Sequence, residues 1–478
     1  MSHSNPPQRA TRGDRTDDAA RAHPTSHANP SHCVAVIGGA VAGAEVAGAL
    51  AQAGCEVVVF EQNARPYGKI EDGLPRWHEA LREKEYAAIG ERLRRPGVRF
   101  VPCTRVGEHV GFRELVRDWG FSAVVLANGA WRDRPLPIEG IDAYVGKGLI
   151  YQNPFVIGFN HMHDPTYSGP RFEALDGALV IGGGLASIDV VKILMLETTR
   201  AALAKRGIEV DVIELEVKGI PKLLATHGLA FSDLGLEGCT LFYRRSEQEM
   251  PLVEIPEDAT PERVEKVRGS RAKLLEKARE KYCFKVEALA APEQMIVENG
   301  RLVGLMFRRM RVEAGKLVPT DERFERRGSC VVSSIGSIPL PIEGIEMKGE
   351  LFRFADWELG RLDAYPTVFS AGNIVTGKGN IIASRKHARQ VTQLMVEDFL
   401  GIAHAERSAE AGIAEVAGAR VRASAERIAA ALEKQPPIRA EALESIRARV
   451  AARQREVGYD GDFDAWIARV SPGRTATS

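Results

Sequence analysis

Three observations predict an α/β chain built from two nested, three-layer units and a helical C-terminal extension. The stretch Val34–Glu61 reads as strand, turn, Ala-rich helix and second strand, and its turn is Gly38-Gly39-Ala40-Val41-Ala42-Gly43. The same order returns where Ala178-Leu179-Val180-Ile181 runs into Gly182-Gly183-Gly184-Leu185-Ala186-Ser187. Two further apolar runs, Ser122–Ala130 and Ser329–Gly336, each stop in a glycine turn, so the chain is expected to leave the first unit at one and return to it at the other. Both units then start as Rossmann-like βαβ segments, each offering a dinucleotide a glycine turn and a helix N-terminus. The expected boundaries are a disordered tail over 1–31, a first unit over 32–150 and 337–400, an inserted second unit over 151–336, and a helical extension over 401–478.

Length and composition bound the rest. At 478 residues there is room for two or three domains with sizeable cores. Lys plus Arg and Asp plus Glu both number 64, so no basic footprint points to nucleic acid. No apolar run reaches the roughly 18 residues of a membrane span. The first thirty or so residues are polar and lack an apolar signal core, so the expected compartment is cytoplasmic. Six cysteines are scattered with no C-x-x-C. That argues against a redox-active dithiol, an iron-sulfur cluster or a locally held zinc, and no metal site is expected.

In the first turn Gly38 serves the tight bend, Gly43 the close helix-on-strand contact, and Ala40, Val41 and Ala42 the approach to a pyrophosphate. Ala40 stands where the motif's middle glycine is usual. Glu61, followed by Gln62, ends the second strand, where a carboxylate accepts ribose hydroxyls. After it, Arg65–His78 is a Gly- and Pro-punctuated loop beside the first nucleotide, Trp77 to about Arg95 is helical, and Val98–Val101 is a short strand. Ser122–Ala130 ends in Asn128-Gly129, and Arg132 to about Ile150 is a connector. Tyr151–Asp164, with His161 and His163, is expected as a solvated loop rather than a metal site.

The second turn keeps Gly182, Gly183 and Gly184 and continues as Leu185-Ala186-Ser187. An insertion over 197–238 delays the next strand, Cys239–Tyr243. That strand ends in Arg244-Arg245 with no acid where NAD would need one. Two guanidinium forks match a 2′-phosphate, so NADP(H) is favoured. Thr260-Pro261-Glu262 opens an amphipathic helix to about Tyr282. Gln294–Val297 and Leu302–Val312 flank Glu298-Asn299-Gly300, a hairpin signal. Beyond Gly401 the chain turns Ala-, Arg- and Glu-rich in an amphipathic pattern that suggests packing on the body or on a partner, and its final aromatics suggest a docking tip.

Pro66, Tyr67, Gly68, Gly73 and His78 resemble the corresponding loop of the adrenodoxin reductase family, the FAD- and NADPH-dependent reductases of iron-sulfur proteins. The family's mid-loop basic-aromatic pair is replaced here by Glu71-Asp72. Tyr243-Arg244-Arg245 followed by Met250-Pro251 is similar to the small subunit of glutamate synthase. Gly372-Asn373 matches the Gly-Asp that holds the ribityl chain in related flavoproteins, and Gly379, Asn380 and Ile381 lie in the helix start that faces the flavin ring there. The resemblance spans roughly Val34 to Leu400 and places the chain in the pyridine nucleotide-disulfide oxidoreductase superfamily. It implies FAD in the first unit, NADP(H) in the second, hydride transfer between them, and ferredoxin or another iron-sulfur carrier as acceptor. It also implies a proton-handling pair, with His78 as one member and Glu254 or Glu257 as the other. Two alternatives remain: a flavin subunit feeding a larger enzyme, as in glutamate synthase, and a flavin-bound scaffold or redox sensor. Oligomeric state is unknown.

Overall fold

The computed structural model describes residues 30–165, 167–253, 255, 259–357, 360–374, 413–433 and 435–471. Two five-stranded parallel sheets organise them. In the first, Cys33–Ile37 is central, with Glu56–Phe60 and Val98–Val101 on one side and Ala123–Leu126 and Val368–Ser370 on the other. Val34 pairs with both Val57 and Ala123, and Val368 with Val124. Successive side chains face opposite ways. Val34, Val36, Val57 and Val59 pack under the helix Val41–Gln52, while Ala35, Ile37, Val58 and Phe60 pack against Phe112, Leu115 and Trp119. Burial on both faces is why these strands read as unbroken apolar runs.

The second sheet runs Leu149–Tyr151, Val331–Ser334, Leu179–Gly182, Thr240–Tyr243, Lys285–Ala288. One face carries the helices Gln152–His161, Leu185–Ala204 and Pro261–Tyr282. The other is covered by a three-stranded antiparallel sheet, Ala290–Glu298, Arg301–Glu313 and Lys316–Arg327, through Leu302, Leu305 and Phe307. Phe242 stacks on Phe307 at 4.3 Å. The predicted hairpin turn is present: Asn299 and Gly300 both have positive φ, 49° and 73°, and Glu298 pairs directly with Arg301. The helix opened by Thr260 also forms, its hydroxyl accepting from the Arg263 N–H at 3.3 Å. The two sheets are joined at a short antiparallel crossing of Arg132–Asp133 with Ser337–Ile338. The α/β architecture with a helical C-terminal region is as expected.

One expectation needs correction. Gln152–His161 is a helix, not a solvated loop: Pro154 falls in its first turn, where no N–H is required, and Phe155, Val156 and Phe159 are buried. His161 Nε2 bonds Asp72 Oδ1 at 2.8 Å. The insertion includes the short helices Val212–Lys218 and Ile220–Thr226. The C-terminal aromatics pack on the body of this chain, one of the two expected placements. Phe463 meets Phe100 edge-on at 5.3 Å, and the Trp466 indole donates to the Ala64 carbonyl at 2.7 Å.

One buried contact fastens that extension. Glu56, 0% exposed at the start of the second strand, takes Arg99 Nε at 2.5 Å and Arg447 Nη2 at 2.6 Å. Burial alone pushes this carboxyl up, but the hydrogen bonds of Arg447 and Arg99 outweigh it and hold it below its ordinary value. Among the described residues Arg447→Ala leaves Arg99 as the one remaining partner, and we expect a loss of about 1–3 kcal/mol. A depressed pKa stabilises above the unfolded value and is lost as pH falls through the folded one. The variant's deficit in melting temperature is therefore expected at neutral pH and narrows in acid.

Candidate functional site

Both glycine turns open into one cleft of about 1550 Å³. That exceeds the roughly 300–1,000 Å³ of a site for one drug-sized molecule and suits two extended ligands. At one end the lining includes Gly38, Ala40, Val41 and Ala42 from the first turn, with Glu61 and Gln62 beyond the second strand. Gly68, Asn128, Gly129 and Gly372 close around them. Gly43 is not in the lining. It sits beneath, where a side-chain carbon would come 1.7 Å from the Gly38 carbonyl oxygen. Gly68, at φ 50°, lies so close to the Ala40 methyl that its own methyl would meet it at 2.8 Å. Ala40 is thus accommodated by the glycine of the Pro-Tyr-Gly loop.

At the other end the lining includes Gly182, Gly183, Gly184, Leu185, Ala186, Ser187 and Arg244. The Ser187 hydroxyl donates to the Ser334 carbonyl at 3.0 Å, fixing the helix start to the neighbouring strand. Gly184 faces open space, with nothing within 4 Å of an added methyl.

Two features fit this cleft to anionic dinucleotides. The helices Val41–Gln52 and Leu185–Ala204 both start without a side-chain cap and without an acid in the first turn. Their first N–H groups and positive dipole ends are therefore left for a ligand. The Asn128 Oδ1 is buried without a hydrogen-bond partner among the described residues.

Glu61 is fully enclosed. Its Oε2 accepts from the Gly39 N–H at 2.7 Å and its Oε1 from the Asn63 N–H at 2.9 Å. Burial nevertheless pushes its pKa up to about 7, with the Gly39 and Asn63 N–H groups pulling the other way. A raised carboxyl contributes stability below the unfolded value that is lost as pH rises through the folded one. The melting temperature of the flavin-free protein is expected to fall between about pH 4.5 and 7 on this account. Glu61→Gln should flatten that slope; an unchanged slope in the variant would assign it to other groups.

Two further residues singled out from sequence lie away from the cleft. His78 is buried at the start of the helix Glu79–Leu93, with Lys192 and Arg82 acting on it. Burial, then the charges of Lys192 and Arg82, push its pKa down to about 3, so it is neutral. Next to it the Trp77 ring faces Lys192 Nζ at 4.7 Å, and that ammonium pairs with Glu216 at 2.8 Å. Arg245 turns from the cleft to Glu249 at 2.8 Å. Glu254, Glu257, Gly379, Asn380 and Ile381 lie outside the described residues. Asn373 follows Gly372 in a short 3₁₀ turn.

Sequence reasoning missed the middle of the cleft, where Lys69, Trp131, Asn153 and Ser337 come together. Lys69 Nζ donates to Ser337 Oγ at 3.1 Å and Asn153 Oδ1 at 3.4 Å. Asn153 Nδ2 in turn donates to the Trp131 carbonyl at 3.0 Å. No local pattern marks these residues, because they meet only at the crossing between the sheets.

Over residues 33–85 the chain matches the family described as pyridine nucleotide-disulphide oxidoreductase. It is 33% identical to cindoxin reductase of Citrobacter braakii across 36% of each chain. It is 32% identical to the glutamate synthase NADPH small chain of Bacillus subtilis, across 33% of this chain and 31% of that one. With the mitochondrial NADPH:adrenodoxin oxidoreductase of Arabidopsis thaliana the identity is 28% across 37% and 36%. The chain thus matches about a third of the length of these curated relatives. Among solved structures, FprA of Mycobacterium tuberculosis in complex with NADPH aligns over 90% of this chain and 91% of its own, with a TM-score of 0.58 at 20% identity, a likeness of fold. The strand-glycine-helix-strand segment is thus similar to the pyridine nucleotide-disulphide oxidoreductase family, and about a third of the chain is similar to these three proteins.

Proposed function

We propose that this chain is an NADPH-dependent flavin oxidoreductase that passes electrons to a one-electron carrier such as a ferredoxin. The observation that carries the reading is the single cleft joining two uncapped helix N-termini, with Arg244 at one end and Glu61 at the other. FAD is assigned to the unit over 32–150 and 337–400, and NADP(H) to the unit over 151–336. The extension over 401–478 is assigned a bracing role. FAD, when bound, accepts two electrons with a hydride and releases them singly. This chain's residues orient the two ligands: Glu61 toward a ribose, the first-turn amides toward pyrophosphates, and Arg244 toward a 2′-phosphate.

The cysteines support an acceptor other than an internal dithiol. All six are free, and burial pushes the thiol of Cys55 up to about 11 and that of Cys33 higher still. Free thiols also support a reducing, cytoplasmic compartment. Among the described residues no helix is long and apolar enough to cross a membrane. The likeness to a glutamate synthase small chain favours a second reading, a flavin subunit that feeds a larger partner.

The deciding experiment is anaerobic stopped-flow bleaching of the purified protein's flavin band by NADPH and by NADH. Fast bleaching by NADPH, followed by turnover with a ferredoxin, is the expected result. Bleaching without ferredoxin turnover, but with copurification of a large subunit, would favour the second reading. A bound flavin that neither coenzyme reduces would sink both and favour a scaffold or sensor.

A further inference from the structure

The middle of the cleft holds one cation that the cofactor-binding assignments leave unused. Four described cationic side chains line the cleft: Lys69, Arg105, Arg134 and Arg244. Arg105 is paired with Glu108 at 3.5 Å, and Arg134 Nε donates to both carboxylate oxygens of Glu350 at 3.0 and 3.1 Å. Arg244 stands at the strand end of the second unit, where the 2′-phosphate is assigned. Lys69 differs from all three. It follows Gly68, the residue packed on Ala40, and among the described residues its ammonium bonds only the neutral oxygens of Ser337 and Asn153. Its hydrogen-bond partners belong to the return crossing and to the first turn of the helix Gln152–His161. An ammonium has three donors, and two are used.

The surroundings fix that charge without neutralising it by contact. The Trp131 ring lies 5.5 Å from Nζ, so the cation has an aromatic face on one side. Asp133 acts on it electrostatically but forms no ion pair with it among the described residues, its Oδ1 accepting from the Asn153 N–H at 3.1 Å. Burial pulls the Lys69 pKa down and Asp133 pulls it back. The adenosine ends of two dinucleotides belong at the opposite ends of the cleft. Their reacting ends then meet in the middle, at the crossing where Lys69 is held.

We propose that Lys69 is the fixed positive charge of the electron-transfer centre, placed to hold the negative charge that the flavin ring gains with a hydride, and so to raise the potential of the bound flavin. This rests on the proposed flavin and NADPH sites. A preorganised cation in a partly buried site needs no reorganisation when the charge arrives, which is the condition under which such a group is most effective.

The test is the midpoint potential of FAD in the holoprotein, read by anaerobic dye-equilibrated titration for wild type, Lys69→Met and Lys69→Arg, with flavin content and melting temperature recorded alongside. Lys69→Met is expected to retain flavin and to make reduction at least tenfold less favourable, about 30 mV more negative for a two-electron couple. Lys69→Arg is expected to keep the wild-type potential. If Lys69→Met fails to fold, Lys69→Gln, neutral but still a donor to Ser337, carries the same expectation. A potential indifferent to the charge at position 69, or one lowered equally by arginine, overturns the inference while leaving the reductase reading in place. A wild-type protein that takes up no flavin overturns both.

Discussion

Arg244→Ala is expected to raise the KM for NADPH roughly 10- to 100-fold while leaving kcat and the response to NADH nearly unchanged. The argument starts from what the two arginines at the strand end are doing. Arg245 Nε donates to Glu249 Oε1 at 2.9 Å and its Nη2 to the Gly315 carbonyl at 3.3 Å. Glu249 is itself held by the Ser246 N–H at 3.1 Å and hydroxyl at 2.8 Å. To reach a phosphate, Arg245 would have to leave a carboxylate. Arg244 lines the cleft with no hydrogen bond or ion pair among the described residues, so its fork is available. Hydrogen bonds to a charged group contribute about 1.5–3 kcal/mol, and each 1.4 kcal/mol is tenfold in affinity. Arg245→Ala should therefore have the smaller effect. Steady-state reduction of an artificial acceptor with both coenzymes would measure this. Equal losses with NADPH and NADH, or a larger loss in Arg245→Ala, would refute the division of labour.

The legibility of this chain follows from where its interactions lie. Strands buried on both faces must be apolar throughout, so Val34–Ile37, Val57–Phe60 and Val331–Val332 stood out as runs. The glycine turns were legible because close backbone approach tolerates few other residues, and the Thr260 cap and the Asn299-Gly300 turn because they are local chemistry. The clasp on the Pro-Tyr-Gly loop was not. Asn160 Nδ2 donates to the carbonyls of Glu71, Asp72 and Leu74 at 3.0–3.1 Å, contacts that join residues 86 to 89 positions apart. Lys69 was hidden for the same reason. In sequence it is one lysine in a charged loop; only the crossing of Trp131 and Ser337 over it makes it a held charge. For Arg244 and Arg245 the sequence indicated an arginine pair but not which member was already engaged. That depended on Glu249, four residues along a turn.

Gly43→Ala and Gly184→Ala, the same change at matching motifs, are expected to fail in opposite ways. An alanine methyl at position 43 would lie 1.7 Å from the Gly38 carbonyl oxygen and 2.8 Å from its carbon, both backbone atoms of the turn. Relief requires the helix Val41–Gln52 to lift from the first strand, which also breaks its packing on Val34 and Val36. Overpacking against backbone at such a distance is expected to cost about 3–5 kcal/mol. At 2–4 °C per kcal/mol, the melting temperature should drop by about 10 °C, with loss of bound flavin. At position 184, with φ −89°, the methyl meets nothing. Exchanging glycine for alanine at that helix cap should change stability by under about 1 kcal/mol. The methyl projects instead into the space assigned to the coenzyme pyrophosphate. Gly184→Ala should therefore keep its flavin and its melting temperature and lose rapid bleaching by NADPH. Paired melting curves, flavin stoichiometry and stopped-flow traces separate the two outcomes. A stable, flavin-loaded Gly43→Ala would mean that the turn can open, and normal bleaching in Gly184→Ala would move the coenzyme away from the second glycine turn.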